Sequence, residues 1–194
     1  MQPSQMDKTE FMAVFGGVFE HSPWIARAVW DAGLTAAHDT ASGLHQPFRE
    51  VIRQSAREKK LALLHAHPEL AAGITGAGSH SKGYPTRKRP LGAESRASAP
   101  PQQNEQLTES SQSEQRGAGL DHCSPEELSK FQKLNDSYRE KFGFPFIMAV
   151  KGYNRHDILE SFRTRLENTG DEEFQAAVEQ VIRIGRFRID SLFK

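Results

Sequence analysis

The sequence predicts an all-α fold: a single compact multi-helix domain of about eight helices with a long flexible inserted loop. Apolar residues recur at helical spacing through nearly every stretch rich enough to fold, and helix-start chemistry stands ahead of several of them. Neither a pair of alternating strands nor an internal repeat can be read in the chain.

Asp7 is placed to cap a first helix whose Phe11, Val14, Phe15, Val18 and Phe19 share a face. Gly16-Gly17 falls inside that pattern, where close helix packing is a better reading than phosphate binding. Ser22-Pro23 supplies an N-cap and a proline at the first helical position; Trp24, Ile25, Ala28 and Val29 follow on one side, and Gly33 stops this second helix. A third is expected from about Pro47 to Arg57. A fourth runs through Leu61, Leu63 and Leu64 to about Ala66, ended by Pro68 because the residue before a proline is pushed out of the α region.

Ser111 to Ala118 reads as a short helix closing at Gly119. Ser124-Pro125-Glu126-Glu127 is a capping box, and Leu128, Phe131, Leu134, Tyr138 and Phe142 follow at helical spacing up to Gly143. The apolar run Phe144 to Val150 fits a buried strand or a buried helical turn equally well. Two more helices are expected: Arg155 to Glu167, carrying Ile158, Leu159, Phe162 and Leu166, and a last one from about Gly170, carrying Phe174, Val178, Val181, Ile182 and Phe187.

The stretch 76–106, GAGSHSKGYPTRKRPLGAESRASAPPQQNEQ, is dominated by Gly, Ser, Pro and Gln, with a few Ala, Tyr84 and Leu91 as its apolar content. Ordering a backbone costs about 1–2 kcal/mol per residue, which so little apolar surface cannot offset. It is therefore expected to be a disordered insertion within one domain spanning 1–194, and it accounts for a mean hydropathy of −0.64. Arg87-Lys88-Arg89 inside it offers an alternative use as a partner-docking or nuclear-import site.

Lys and Arg total 25 against 25 Asp and Glu, a net charge of zero, which gives no support to steering toward nucleic acid or an anionic membrane. The longest apolar run, Phe144 to Val150, is far shorter than the ~20 residues of a spanning helix. With no apolar signal region at the N-terminus and no peroxisomal tripeptide at the C-terminus, a cytoplasmic protein is expected. The single Cys123 forms no intrachain disulfide and makes no cysteine-based zinc site alone.

His65-Ala66-His67-Pro68-Glu69 is the first candidate for chemistry. Histidines two apart diverge at a helix end, so a metal-dependent hydrolase built on both is a weak reading, and a surface histidine at a fraying end is the plainest one. The third is specific: carbonyls at the end of an apolar helix favour a protonated His67, and Pro68 fixes the backbone so that the ring is oriented for acid–base work. Ser111, Glu114 and Gln115 form a second constellation. Ser111 and Glu114 share a helical face, although S-x-x-E is also a plain capping box. Main-chain N–H groups of the 144–150 run can serve a ligand only if that segment is irregular.

The blocks FGGVFEHSPWIARAVW, LLHAHPELA, LTESSQSEQRGAGLD, LNDSYREKFGFPFIMAVKG and QVIRIGRFRI closely resemble the OHCU decarboxylase family (2-oxo-4-hydroxy-4-carboxy-5-ureidoimidazoline decarboxylase) of urate degradation. The likeness spans about residues 8 to 190 and is interrupted by 76–106. It implies an all-helical, cofactor-free carboxy-lyase without a metal, a homodimer, converting OHCU to (S)-allantoin and CO2. It carries the catalytic role to His67 and Glu114, and substrate contacts to Pro68, Ser111, Gln112, Ser113, Gln115, Phe146, Ile147, Met148, Ala149 and Val150. Some relatives are fused to a transthyretin-like hydrolase acting one step earlier. This chain has no room for one, so a separate upstream hydroxyisourate hydrolase is implied. The insertion, roughly 20 residues longer than the family's usual connection at that point, is read as a spectator. A rival from another class is a non-catalytic helical binding module that docks a partner through the basic insertion.

Overall fold

Eight α-helices form among the residues that the computed structural model describes, 1–71 and 108–194: α1 (Lys8–Phe15), α2 (Pro23–Asp31), α3 (Ala41–Gln54), α4 (Arg57–His65), α5 (Glu109–Gly117), α6 (Pro125–Phe142), α7 (Arg155–Leu166) and α8 (Gly170–Leu192). No strand occurs among them. The insertion expected over 76–106 lies outside the described residues.

The helix starts are built by side chains. Asp7, Ser124, Asn154 and Thr169 each form a reciprocal capping box, which satisfies amide groups that a helix end leaves without intrahelical partners. Gly143, at φ +79, ends α6 in the left-handed conformation that a glycine adopts without penalty.

Four local expectations are corrected. α1 ends at Phe15, so Gly16-Gly17 terminates the helix and Val18 and Phe19 enter the core from the turn beyond it. A Cβ on Gly17 would meet nothing within 4 Å, so no close helix packing uses it. α3 begins at Ala41, capped by the Thr40 side chain, and runs through Pro47. Leu44, Phe48 and Ile52 are fully buried, at about 1.5–3 kcal/mol each, which outweighs an internal proline's cost of about 3 kcal/mol. α5 begins two residues before Ser111, because Thr108 and not Ser111 is its cap. The run Phe144 to Val150 is neither strand nor helical turn but irregular and buried.

α8 is the central element. Its stripe of Phe174, Ala177, Val178, Val181, Ile182, Ile184, Gly185 and Ile189 is buried, and it packs on α3, α4 and α6. Two aromatic clusters fill the interior: Phe11, Phe15 and Phe48 on one side, and Tyr138, Phe146 and Phe162 on the other. Arg188 sits on α8 one turn beyond Ile184 and is only 9% exposed, which brings a charge into the core.

Candidate active site

α4 ends at His65, and the chain then folds inward, leaving His65 exposed and burying His67. The His67 Nδ1 is 2.8 Å from the carbonyl oxygen of Leu63. A carbonyl only accepts, so Nδ1 carries the proton and Nε2 is the bare lone pair. That buried Nε2 has no hydrogen-bond partner. Burial drives the ring's pKa from 6.5 down to about 4, although the Leu63 carbonyl and the Glu20 carboxylate push it upward; Arg188 and His21 add to the lowering. The expectation of a protonated imidazole at a helix end is thereby corrected, because desolvation outweighs the helix-end carbonyl. The surface-histidine reading holds for His65, which is exposed at the end of α4, and fails for the buried His67.

The segment after His67 is pinned at several points. The Gln115 Oε1 accepts from the Ala71 N–H at 3.0 Å, and its Nε2 donates to the Glu69 carbonyl at 3.4 Å. Asn135 donates to the Leu70 carbonyl at 3.0 Å, and Arg139 pairs with the Glu69 carboxylate.

Facing this loop is a buried charged network. Arg188 grips Glu114 with two nitrogens, Nε to Oε1 at 2.8 Å and Nη2 to Oε2 at 2.9 Å, in the planar fork that suits a guanidinium and a carboxylate. Its Nη1 donates to the Val18 carbonyl at 3.2 Å, and its Nη2 also reaches the Ser111 Oγ at 3.2 Å. Glu20, 2% exposed, accepts from Thr108 at 2.8 Å and Ser111 at 2.5 Å, and lies 2.9 Å from Arg188 Nη2. Burial raises the Glu20 carboxyl, but Ser111, Arg188 and Thr108 outweigh it and hold the pKa below the ordinary carboxylate value. Ser111 is thus part of this network, and its capping-box reading is corrected.

The third wall is the irregular run. Arg165 donates Nη1 to the Ile147 carbonyl at 2.6 Å, lies 4.6 Å from the centre of the Phe146 ring, and is itself held by Glu173, which Tyr138 and Asn168 also contact. Gln180 takes the Ala149 N–H at 3.0 Å. Any main-chain donors left for a ligand therefore come from the neighbours of Ala149.

These walls enclose a cavity of about 30 Å³ lined by His67, Pro68, Leu70, Ser111, Glu114, Gln115, Phe146, Ile147, Met148, Val150, Ile184 and Arg188. A larger cavity of about 710 Å³ shares Glu114, Val150, Ile184 and Arg188 with it, and Ser113 and Ala149 line that one. Gln112 is exposed and lines neither. His65 and His67 do not converge, and among the described residues no group of three or more His, Cys, Asp or Glu side chains is placed to hold a metal ion.

Arg188 and Glu20 are the members of the site that the sequence reading passed over. Both left a signal: Glu20 directly follows the apolar Val18 and Phe19, and Arg188 falls at helical spacing on the face of Val181, Ile184 and Gly185.

An all-helical domain that converges a neutral imidazole, an ion-paired guanidinium and a polar helix face on one small cavity is built as an enzyme acting on a small molecule. The family model for OHCU decarboxylase matches residues 4–96 and 85–190, and the chain belongs to that family. It is 33% identical, over 97% of its length and 88% of the relative's, to the 2-oxo-4-hydroxy-4-carboxy-5-ureidoimidazoline decarboxylase of Halalkalicoccus jeotgali. It is 31% identical to a uric acid degradation bifunctional protein of Bacillus subtilis, over 96% of this chain but 31% of that longer protein. Among solved structures, an (S)-allantoin synthase superposes with a TM-score of 0.67 at 26% identity, covering 98% of this chain and 52% of the other.

Proposed function

We propose that this protein is a carboxy-lyase that converts OHCU to (S)-allantoin and CO2 in urate degradation. The observation that carries this reading is the unprotonated, unpartnered Nε2 of His67, at a cavity that Arg188 also lines. Breaking the bond to the carboxylate sends its electron pair into a new C=C, and the adjacent C=N opens onto its ring nitrogen, which takes a proton. The neutral His67 then accepts the enol proton and returns it to the neighbouring carbon on one face, while the C–O bond closes to a carbonyl. An imidazole with so low a pKa is a strong acid once protonated, which suits delivery of a proton to carbon. The electron sink belongs to the substrate, so the chemistry calls for no cofactor.

Arg188 is placed to receive the substrate carboxylate. Of its five N–H donors, the second on Nη1 is the one that the contacts to Glu114, Glu20, Ser111 and Val18 leave over. Glu114 holds Arg188 and offers its remaining lone pairs to substrate N–H groups. Gln115 keeps the His67 loop in register, and Pro68 with the 146–150 run bounds the ring. A cavity of about 30 Å³ admits one small group, so the ring reaches His67 from the adjoining 710 Å³ cavity through the wall they share. The resemblance further supports a homodimer, in the cytoplasmic setting expected from the sequence, with a separate upstream hydroxyisourate hydrolase as supplier of the labile substrate; the bifunctional relative supports a link to another activity of uric acid degradation.

The test makes OHCU in the cuvette from urate with the two upstream activities and follows optically active allantoin by circular dichroism. Fast formation of the (S) enantiomer, insensitive to EDTA and lost in His67→Asn, is expected. A trace no faster than spontaneous decay rejects the decarboxylase and returns the non-catalytic module as the better reading.

A further inference from the structure

Glu20 lines neither cavity, yet it holds two side chains that line the inner one, Ser111 and Arg188. Ser111 directs its only hydroxyl proton at Glu20, at 2.5 Å, so toward Arg188 and the cavity it presents lone pairs alone. The Arg188 guanidinium is gripped from two sides, by Glu114 through both oxygens and by Glu20 at 2.9 Å, which leaves it little freedom to rotate. The turn that carries Glu20 inward is itself strained. His21, the next residue, has φ +45, a left-handed conformation that costs a residue with a side chain roughly 1–2 kcal/mol. Strain of this kind persists where the surrounding contacts enforce it, and the buried Glu20 carboxylate makes three, to Thr108, Ser111 and Arg188.

We propose, building on the decarboxylase reading, that Glu20 is a positioning residue of the reaction: it fixes Ser111 as a hydrogen-bond acceptor toward substrate N–H groups and locks the Arg188 guanidinium in the orientation that receives the substrate carboxylate. Its charge also acts on His67. The charged and titratable groups around that ring are Glu20 and His21 from the turn after α1, Glu114 from α5 and Arg188 from α8. Glu20 favours the protonated ring, while Arg188 and His21 oppose it. Removing the Glu20 charge therefore moves the His67 titration to lower pH.

The experiment compares the full chain with its Glu20→Gln and Glu20→Asp variants, by steady-state kinetics on OHCU and by NMR titration of the His67 imidazole without substrate. In Glu20→Gln, kcat is expected to fall roughly ten- to a hundredfold, KM to change less, and His67 to titrate at lower pH. Glu20→Asp keeps the charge but draws it back by one methylene; its His67 titration stays near that of the parent and part of kcat returns. A role confined to stability would lower the melting temperature and leave the His67 titration in place, and that result overturns the proposal. So does a parental kcat in either folded variant, which keeps the test decisive if Glu20→Gln does not fold. Absence of OHCU turnover in the parent rejects the decarboxylase reading instead, while the NMR comparison still decides whether Glu20 acts on His67.

Discussion

The Nδ1 of His67 donates to the carbonyl of Leu63, four residues earlier in the chain, across 2.8 Å. That bond fixes the tautomer, turns Nε2 toward the cavity and ties the second residue beyond α4 to the last full turn of the helix. Burial of the ring, which outweighs that bond, makes the native state pH-sensitive. The folded pKa of about 4 lies below the ordinary 6.5, so between those values the unfolded chain binds a proton that the native state does not. Stability contributed by the neutral ring is complete above about pH 6.5 and is lost as pH falls toward 4, at about 1.4 kcal/mol per pH unit. Urea unfolding across that window should show a pH slope steeper, by about one proton, than that of His67→Asn. Equal slopes would mean that the ring is not held neutral.

Arg188 is, among the contacts described, the cation that pairs with two carboxylates at once, the buried Glu20 and the half-buried Glu114. Arg188→Ala strands both and should cost about 3–5 kcal/mol of stability and raise KM for the anionic substrate at least about tenfold. Arg188→Lys should recover part of the stability but little of KM, because an ammonium cannot form the two-nitrogen fork. Denaturant midpoints and KM measured on the pair separate these effects, and a lysine variant with parental KM would remove Arg188 from substrate binding.

Gln115 bonds to the backbone on both sides of Leu70, at the Glu69 carbonyl and the Ala71 N–H. Gln115→Ala leaves that N–H without its side-chain partner. The expected outcome is a loss of about 1–3 kcal/mol together with a lower kcat, as the His67 segment loosens. Hydrogen exchange at Ala71 reads the loosening directly; unchanged protection there would rule out this route.

Gly185 faces the ring of Phe19, and a methyl group at 185 would overlap that ring. Gly185→Ala should cost about 1–3 kcal/mol by overpacking, and because Phe19 immediately precedes Glu20 it should also reduce kcat. A melting temperature and kcat equal to the parent's would show that the Phe19 turn yields without disturbing the site.

Much of the helical architecture is legible in the linear chain. Asp7, Ser124-Pro125 and the terminator Gly143 act on neighbours within a few residues, so their consequences can be read locally. The motif positions His67, Ser111, Glu114 and Gln115 are legible too, as a resemblance and as residue types suited to acid–base work. The start of α3 was not, because burial of Leu44, Phe48 and Ile52 against other elements overrides the local signal of Pro47.

What the sequence determined by itself is therefore most of the helices and the caps at Asp7 and Ser124, consequences of periodicity and short-range hydrogen bonding, and part of the set of residues available for chemistry. The tertiary structure alone decided their states and partners. Desolvation made His67 neutral where the helix end favoured the cation, and folding brought Glu20 and Arg188, 168 positions apart in the chain, to 2.9 Å. Ionisation depends on burial and on charges that meet only through space, and no pattern along the chain encodes either.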